Sequence, residues 1–412
     1  MPEFLELKPP AEALGVLLQH LSATSRAVTE KIGTENALGR ILAESVIAQE
    51  PLPSFSRTTV DGYAVRAADT FGASEALPVY LQLLGEAPMG AEPPQVLSRG
   101  QCVLIHTGGM LPQGADAIVM IEYTQLVQNT EVEILRAVAI GENVLYPGED
   151  VAVGQLVMEA GSKLRVAEIG GLMALGVTEV DVFSKPKVGI LSSGDELAPP
   201  QMAIQPGQVR DINSYSLSAL VEQIGGVSAR YGIVPDRMES LKHSAEKALS
   251  ENDCLVITAG SSASTRDLTS EVISQLGSPG VLVHGVNVRP GKPTILAVCN
   301  GKPVIGLPGN PVSALVIASF FVKPVIEWLM GLTKKPLDAQ VQARLAINLS
   351  SQSGREDWIA VRLDYQDGQY QAVPIFGKSN LIFTLVRADG LVRIHPDANG
   401  LSAGELVRVY LL

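Results

Sequence analysis

A chain of 412 residues, 46% hydrophobic and 18% charged, has globular composition and is too long for one ordinary hydrophobic core, so two to four domains are expected. Lysine and arginine number 31 against 43 aspartates and glutamates, and the resulting net charge of −12 disfavours nucleic acid and anionic membrane surfaces as partners. Any polyanionic ligand must therefore be held by a local cluster of donors.

The N-terminus carries Glu3, Glu6 and Glu12 with no basic start before an apolar stretch, which excludes a secretory signal. From Pro10 onward, Leu14, Leu17, Leu18 and Leu21 recur at three-to-four spacing and predict a helix. A second apolar stretch over 37–46 is read as helical as well, until Pro51 and Pro53 stop it. From 55 to 136 the texture changes to short β-like runs at 103–106, 117–121 and 132–135, separated by Gly and Pro. Residues 141–182 combine short strands with a helical segment over 167–175 and are expected to pack back on the N-terminal helices.

Beyond Lys185-Pro186-Lys187 strand and helix alternate. Strands are predicted at 188–191, 228–234, 254–258, 281–288 and 303–307, and helices at 215–224, 238–249, 269–276 and 311–330. Such alternation gives an open, mostly parallel sheet with helices on both faces. After Gly331 the pattern is β again, at 341–347, 358–363, 370–374 and 406–411. The expected fold class is multidomain α/β plus β. It comprises a discontinuous N-terminal domain (1–50 and 140–185), an inserted β domain (51–139), an α/β domain (186–331) and a C-terminal β-barrel-like domain (332–412).

The longest apolar run, 312–322, is broken by Lys323 and falls short of the ~20 residues that span a bilayer. Cys102, Cys254 and Cys299 are odd in number, widely spaced and each set in an apolar run, which reads as buried free thiols in a reducing compartment. A cytoplasmic location without membrane association follows as the expectation.

Ligands on open α/β sheets bind at the carboxyl ends of the strands, and the informative residues gather there. Strand 188–191 runs into Ser192-Ser193-Gly194-Asp195-Glu196, where glycine lets the backbone turn and two adjacent carboxylates suit a metal or proton transfer. A helix N-cap is the simpler reading of those residues. Strand 254–258 ends in a segment bearing Gly260, Ser261, Ser262, Ser264, Arg266 and Asp267, either a phosphate cradle with a metal-holding carboxylate or a solvated serine-rich turn. In Arg289-Pro290-Gly291-Lys292 two cations flank a stiff Pro-Gly turn, which in so acidic a chain reads as a site. Pro308-Gly309-Asn310-Pro311 presents a helix N-terminus in a frame of two prolines, with Pro311 at its favoured first position.

These segments and several upstream ones resemble, in order and spacing, the molybdopterin molybdenumtransferases, the family that includes the E domain of gephyrin. Val60-Asp61-Gly62-Tyr63-Ala64-Val65 looks like the family's M-D-G-Y-A-V. Thr107-Gly108-Gly109 stands at its T-G-A, and Gly148-Glu149-Asp150 at its G-E-D. Ser193-Gly194-Asp195-Glu196-Leu197 is similar to T-G-D-E-L, Arg289 to Pro293 to K-P-G-K-P, and Leu307 to Ser313 matches L-P-G-N-P-V-S outright.

The resemblance implies an enzyme that takes adenylylated molybdopterin and molybdate, cleaves the pyrophosphate link with Mg2+, and releases AMP and the metal-loaded cofactor. It further implies a homodimer whose site lies between the α/β domain of one subunit and the β domain of the other. Asp61, Thr107 and Asp150 would come from the partner, and Glu196, Asp236 and Asp267 from the α/β domain as catalytic and metal-holding acids. Arg289 and Lys292 would bind phosphate or molybdate. Four departures accompany the match: Ser56 where the family has aspartate, Ser261 for a glycine, and Leu145 and Ala360 for arginines. Arg57 or Arg362 is the expected compensation. The lost arginines also leave a second reading, a non-catalytic relative that binds the pterin cofactor for storage, delivery or sensing.

Overall fold

The computed structural model describes residues 7–21, 28–259, 263–334 and 339–412, the side chains of 263–267 excepted. At its centre lies a six-stranded sheet in the order Val227–Val234, Lys187–Ser193, Cys254–Ala259, Lys302–Pro308, Ile295–Cys299, Pro279–His284. The first four strands are parallel, and Ile295–Cys299 pairs antiparallel with both its neighbours, so the four parallel strands deliver their carboxyl ends to one edge. Every residue of Cys254–Ala259 is buried, as expected for a strand covered on both faces.

On one face, the helices Asn213–Ile224 and Pro311–Leu329 bury Leu217, Val221, Ile317 and Phe321 against Val188, Val256 and Ile305. On the other, Met238–Glu251 and Ala263–Gln275 bury Leu241, Ala245, Val272 and Ile273 against Leu255, Ile257 and Val304. Each of the Leu, Ile, Val and Phe side chains among them contributes about 1.5–3 kcal/mol over its exposed state. The helix Pro311–Leu329, predicted over 311–330, runs past Lys323 and through Pro324 to 19 residues, long and apolar enough to cross a membrane. Its apolar character is accounted for by its place in this core.

Two expectations are corrected. The first helix, Pro10–His20, does not serve as a platform for residues 141–182; its Ala13 and Leu17 join the α/β core beside Phe321. Residues 37–46 are not helical. Gly39 takes a left-handed φ of +77°, and the amides of Gly39, Leu42 and Ala43 donate to the carbonyls of Leu164, Ser162 and Asp181. Long-range partners thus claim the donors that a helix would use locally. The strand Thr29–Gly33 pairs antiparallel with Glu179–Phe183, which closes the discontinuous N-terminal domain.

The inserted β domain is a six-stranded mixed sheet containing Gly62–Val65, Gln101–Ile105 and Ala117–Met120. Gly62 is required there, since a Cβ would lie 2.1 Å from the carbonyl oxygen of Val119. In the C-terminal domain, Glu356–Gln366, Gln369–Pro374, Gln340–Leu345, Leu406–Leu411 and Gly390–Ile394 pair in a closed ring, a small β-barrel.

The three cysteines are free and buried. Burial pushes the Cys102 thiol up to about 12 and Cys299 up to about 11, and raises Cys254 as well. Native protein at pH 8 is therefore expected to leave all three unreacted with an aromatic disulfide reagent, and unfolding to release them together. Rapid labelling of any one in native protein would contradict this burial.

Candidate active site

The strand Lys187–Ser193 delivers two buried hydroxyls to the sheet edge, and each is engaged by an acid. Ser192 Oγ donates to Asp211 at 3.0 Å, and Ser193 Oγ lies 2.5 Å from an oxygen of Asp236. Asp236 follows the adjacent strand, Val227–Val234, and its amide donates to Asp195 at 3.3 Å. The turn at Gly194 is closed by its own amide to Val234 O, and a Cβ there would meet the Glu196 carboxylate at 2.8 Å. Asp195 and Glu196 therefore share this turn, and Asp236 is bonded to it from the end of the adjacent strand.

Among the described residues, no three His, Cys, Asp or Glu side chains stand close enough to hold a metal ion by themselves. The donor set nevertheless fits Mg2+. Magnesium is commonly held by one or two carboxylates and completes its shell with water and substrate phosphates. Gly260, Ser261 and Ser262 lie outside the described residues, as do the side chains of Ser264 and Asp267.

The Arg289-Pro290-Gly291-Lys292 loop is built into two domains at once. Val288–Arg289 pairs in parallel with the start of the barrel strand Glu356–Gln366, placing Arg289 beside Asp357. Pro290 follows a cis peptide. Gly291 has φ +118°, and a Cβ on it would lie 2.2 Å from Ile317 of the long helix, so only glycine fits. Thr294 Oγ1 closes the loop on the carbonyl of Gly291 at 2.6 Å.

Between this loop, the Pro308–Pro311 turn and the barrel opens a cleft of about 1040 Å3. Its lining carries four cations, Arg289, Lys292, Arg355 and Lys378, against one acid, Asp357. In a chain of net charge −12 that is a local reversal of sign. The helix that begins at Pro311 is less open to an anion than the sequence suggests. Pro311 has no N–H, and the amide of Val312 donates to Ser379 O at 3.0 Å. Asn310 Nδ2 donates to Ser379 Oγ at 3.1 Å, and Asn213 Nδ2 holds Gly309 O at 2.8 Å.

A second group of acids lies on the β domain. Asp61 accepts from the amide of Thr107 at 2.7 Å and from its hydroxyl at 2.8 Å. These two bonds, the amide first, hold the Asp61 carboxyl below the usual carboxylate range, with His106 adding to the effect against slight desolvation. His106 also meets Glu86 at 3.1 Å. Asp150 is exposed on the segment that runs alongside residues 51–59, its amide on the carbonyl of Leu52. Among the described residues, no hydrogen bond or ion pair joins Asp61, Thr107 or Asp150 to the α/β strand ends.

The structure thus brings together Ser193, Gly194, Asp195, Glu196 and Asp236 at one turn, and Arg289 to Lys292 with Pro308, Asn310 and Pro311 around the cleft and its edge. Sequence reading missed the barrel's contribution: Arg355, Asp357, Lys378 and Ser379 all line the cleft. The available signals were the charged run after Gly354 and a lysine inside the turn Gly377-Lys378-Ser379-Asn380.

Comparison with known proteins agrees with this architecture over nearly the whole chain. Residues 8–176 match the family described as MoeA N-terminal region (domain I and II), 189–328 the probable molybdopterin binding domain, and 342–412 the MoeA C-terminal region (domain IV). The molybdopterin molybdenumtransferase of Nostoc sp. is 34% identical over 393 residues, 94% of this chain and 90% of that protein. That of Bacillus subtilis is 31% identical over 389 residues, 93% and 90%. A crystal structure of the molybdopterin biosynthesis moeA protein from Pyrococcus horikoshii OT3 superposes with a TM-score of 0.85 at 32% identity, covering 99% of this chain and all of that one. Another from Pyrococcus gives a TM-score of 0.80 at 38% identity, covering 98% and 99%. With its motifs, its domains and its relatives in agreement from end to end, the chain belongs to the molybdopterin molybdenumtransferase family.

Proposed function

We propose that the protein inserts molybdate into adenylylated molybdopterin and releases AMP, giving the molybdenum cofactor. The observation that carries this reading is the cleft beside the end of strand Lys302–Pro308, with four cations to one acid in an otherwise acidic chain. Such a cleft suits the phosphates of a nucleotide and a tetrahedral oxyanion, and the acidic turn after Lys187–Ser193, two strands away on the same edge of the sheet, suits the cation that accompanies them.

The roles follow from the chemistry of pyrophosphate cleavage, which needs positioned charge more than a covalent nucleophile. Arg289 and Lys292 bind the anionic groups at the cleft wall. Glu196, Asp236 and Asp267 would hold Mg2+, which when bound offsets charge on the phosphates. Ser193 fixes the Asp236 carboxylate by its hydrogen bond, and the Gly194 turn leaves room for Glu196 to lie over the backbone. The β-domain group completes the site from the partner subunit: Thr107 keeps Asp61 ionised and oriented, and Asp150 adds a further acid. This reading makes the protein a cytoplasmic homodimer. The dimer is supported by the lack, among the described residues, of any hydrogen bond or ion pair joining the two acidic groups within one chain, and by the exposure of Asp61 and Asp150.

Incubating the purified protein with adenylylated molybdopterin and magnesium is expected to release AMP only when molybdate is added. Tight binding of the pterin nucleotide with no release under either condition would instead establish the storage, delivery or sensing reading.

A further inference from the structure

The four cations of the cleft are not equivalent. Asp357, only 1% exposed, accepts from Arg355 Nε at 2.9 Å and from Ser351 Oγ at 2.9 Å, and lies 3.8 Å from Arg289. The two guanidiniums thus share one buried negative charge. Neither Lys292 nor Lys378 has an acid within ion-pair distance among the described residues.

Both lysines sit on turns whose backbone is fixed. The carbonyl of Lys292 accepts from Val286 at 2.9 Å and from Thr294 at 3.0 Å. The turn of Lys378 is pinned to the start of the long helix through Ser379, by its carbonyl to Val312 and its hydroxyl to Asn310, and closed by Leu381 N on Lys378 O at 2.9 Å. One lysine belongs to the α/β domain and the other to the barrel, and the two line the same cleft.

Ala360 lies in that lining too, but at its apolar end, packed with Val312, Val316, Leu385 and Leu391. The backbone of Ala360 accepts from Ile375 at 2.8 Å, so three residues of chain lead from its neighbour to Lys378. Neither of the arginines expected to compensate reaches this place. Arg362 is held by two bonds of 2.8 Å to Asp364 and does not line the cleft. Arg57 pairs across strands with Leu145, near the β domain.

We propose that Lys378, with Lys292 of the other domain lining the same cleft, is the principal cationic contact for a tetrahedral dianion there, supplying the charge that Ala360 does not. The inference rests on the reading of the cleft as an anion site and goes beyond it by naming the residue and the domain that set its affinity. The occupant is either the free oxyanion or a phosphate of the nucleotide, since both present the same charge and shape to an ammonium group. An ammonium is a compact point charge on a flexible stem, so it meets such an ion without the bidentate geometry that a guanidinium imposes.

Titration calorimetry of the full chain with sodium molybdate alone, and separately with AMP alone, tests this. Lys378→Ala is expected to lose about tenfold or more in affinity for one of the two ions, as for a deleted charge-assisted hydrogen bond. Lys378→Arg should retain most of it, and Arg362→Ala all of it. Adding Ala360→Arg to Lys378→Ala is expected to recover part of the loss. A loss for molybdate with AMP unchanged assigns the site to the free oxyanion; the reverse assigns it to the phosphate. Wild-type affinity of Lys378→Ala for both ions overturns the role of the lysine and leaves the cleft reading intact. Failure of the wild type to bind either ion overturns the cleft reading itself.

Discussion

Asp61→Asn and Glu196→Gln are each expected to lower AMP release by about a hundredfold or more, while leaving the melting temperature close to that of the parent protein. Asparagine at 61 retains an oxygen that can accept from Thr107, so the local hydrogen bonds survive and only the charge is lost. Glutamine at 196 likewise keeps the shape of an exposed side chain on the Gly194 turn. The Asp61 carboxyl is depressed by its Thr107 bonds, so its ionised form is favoured above its ordinary titration range and is lost only as pH falls through the depressed value. Any Asp61-dependent step should therefore be flat from neutrality to mildly acidic pH. The decisive measurement is complementation. If the site spans subunits, each homodimer lacks a group in both sites, whereas a heterodimer regains one intact site of two. Full exchange should then restore about a quarter of wild-type activity. No recovery despite demonstrated exchange would place both acids in one chain's site, and full activity in both single variants would refute the assignment altogether.

What could be read from the sequence was local. The strand ends announce themselves because glycine, proline and serine are needed wherever a buried strand turns into a loop, as at Gly194 and at the Pro308–Pro311 turn. Partners distant in sequence were not legible. The Arg289 loop becomes part of the barrel sheet only through pairing with residues 356–357, and nothing in the composition of either segment points to the other. The same holds for residues 37–46, whose apolar pattern suits a helix until the carbonyls of Leu164, Ser162 and Asp181 compete for their amides. One local signal was passed over. Asn300-Gly301, both at positive φ and flanked by apolar runs, is the two-residue hairpin turn joining Ile295–Cys299 to Lys302–Pro308. Reading it would have supplied the missing strand, divided the long 281–288 prediction into Pro279–His284 and Val288–Arg289, and shown the antiparallel edge of the sheet.

Asp211→Ala is expected to have the largest effect on stability of any single change near the site, although no sequence motif singles this residue out. The carboxylate is 4% exposed and accepts three hydrogen bonds: from Ser192 Oγ at 3.0 Å, Ser214 N at 3.1 Å and Ser214 Oγ at 2.6 Å. Thr258 Oγ1 extends the chain to Ser192 at 3.3 Å, so adjacent strands and the start of the helix Asn213–Ile224 meet on one acid. Alanine would leave an amide at a helix start and two buried hydroxyls without their acceptor. Unsatisfied donors of that kind cost about 1–3 kcal/mol each, part of which the hydroxyls recover by rotating, so a net loss of about 3–5 kcal/mol follows. For a domain of this size that corresponds to roughly 10 °C in melting temperature, measurable by calorimetry. Asp211→Asn, which keeps one carbonyl acceptor, should recover about half of it. Because Ser192 precedes Ser193, whose hydroxyl orients Asp236, the alanine variant should also lose AMP release below its melting transition. A variant that unfolds early yet turns over normally when folded would confine Asp211 to stability, and a melting temperature unchanged from wild type would show that the network contributes nothing to either.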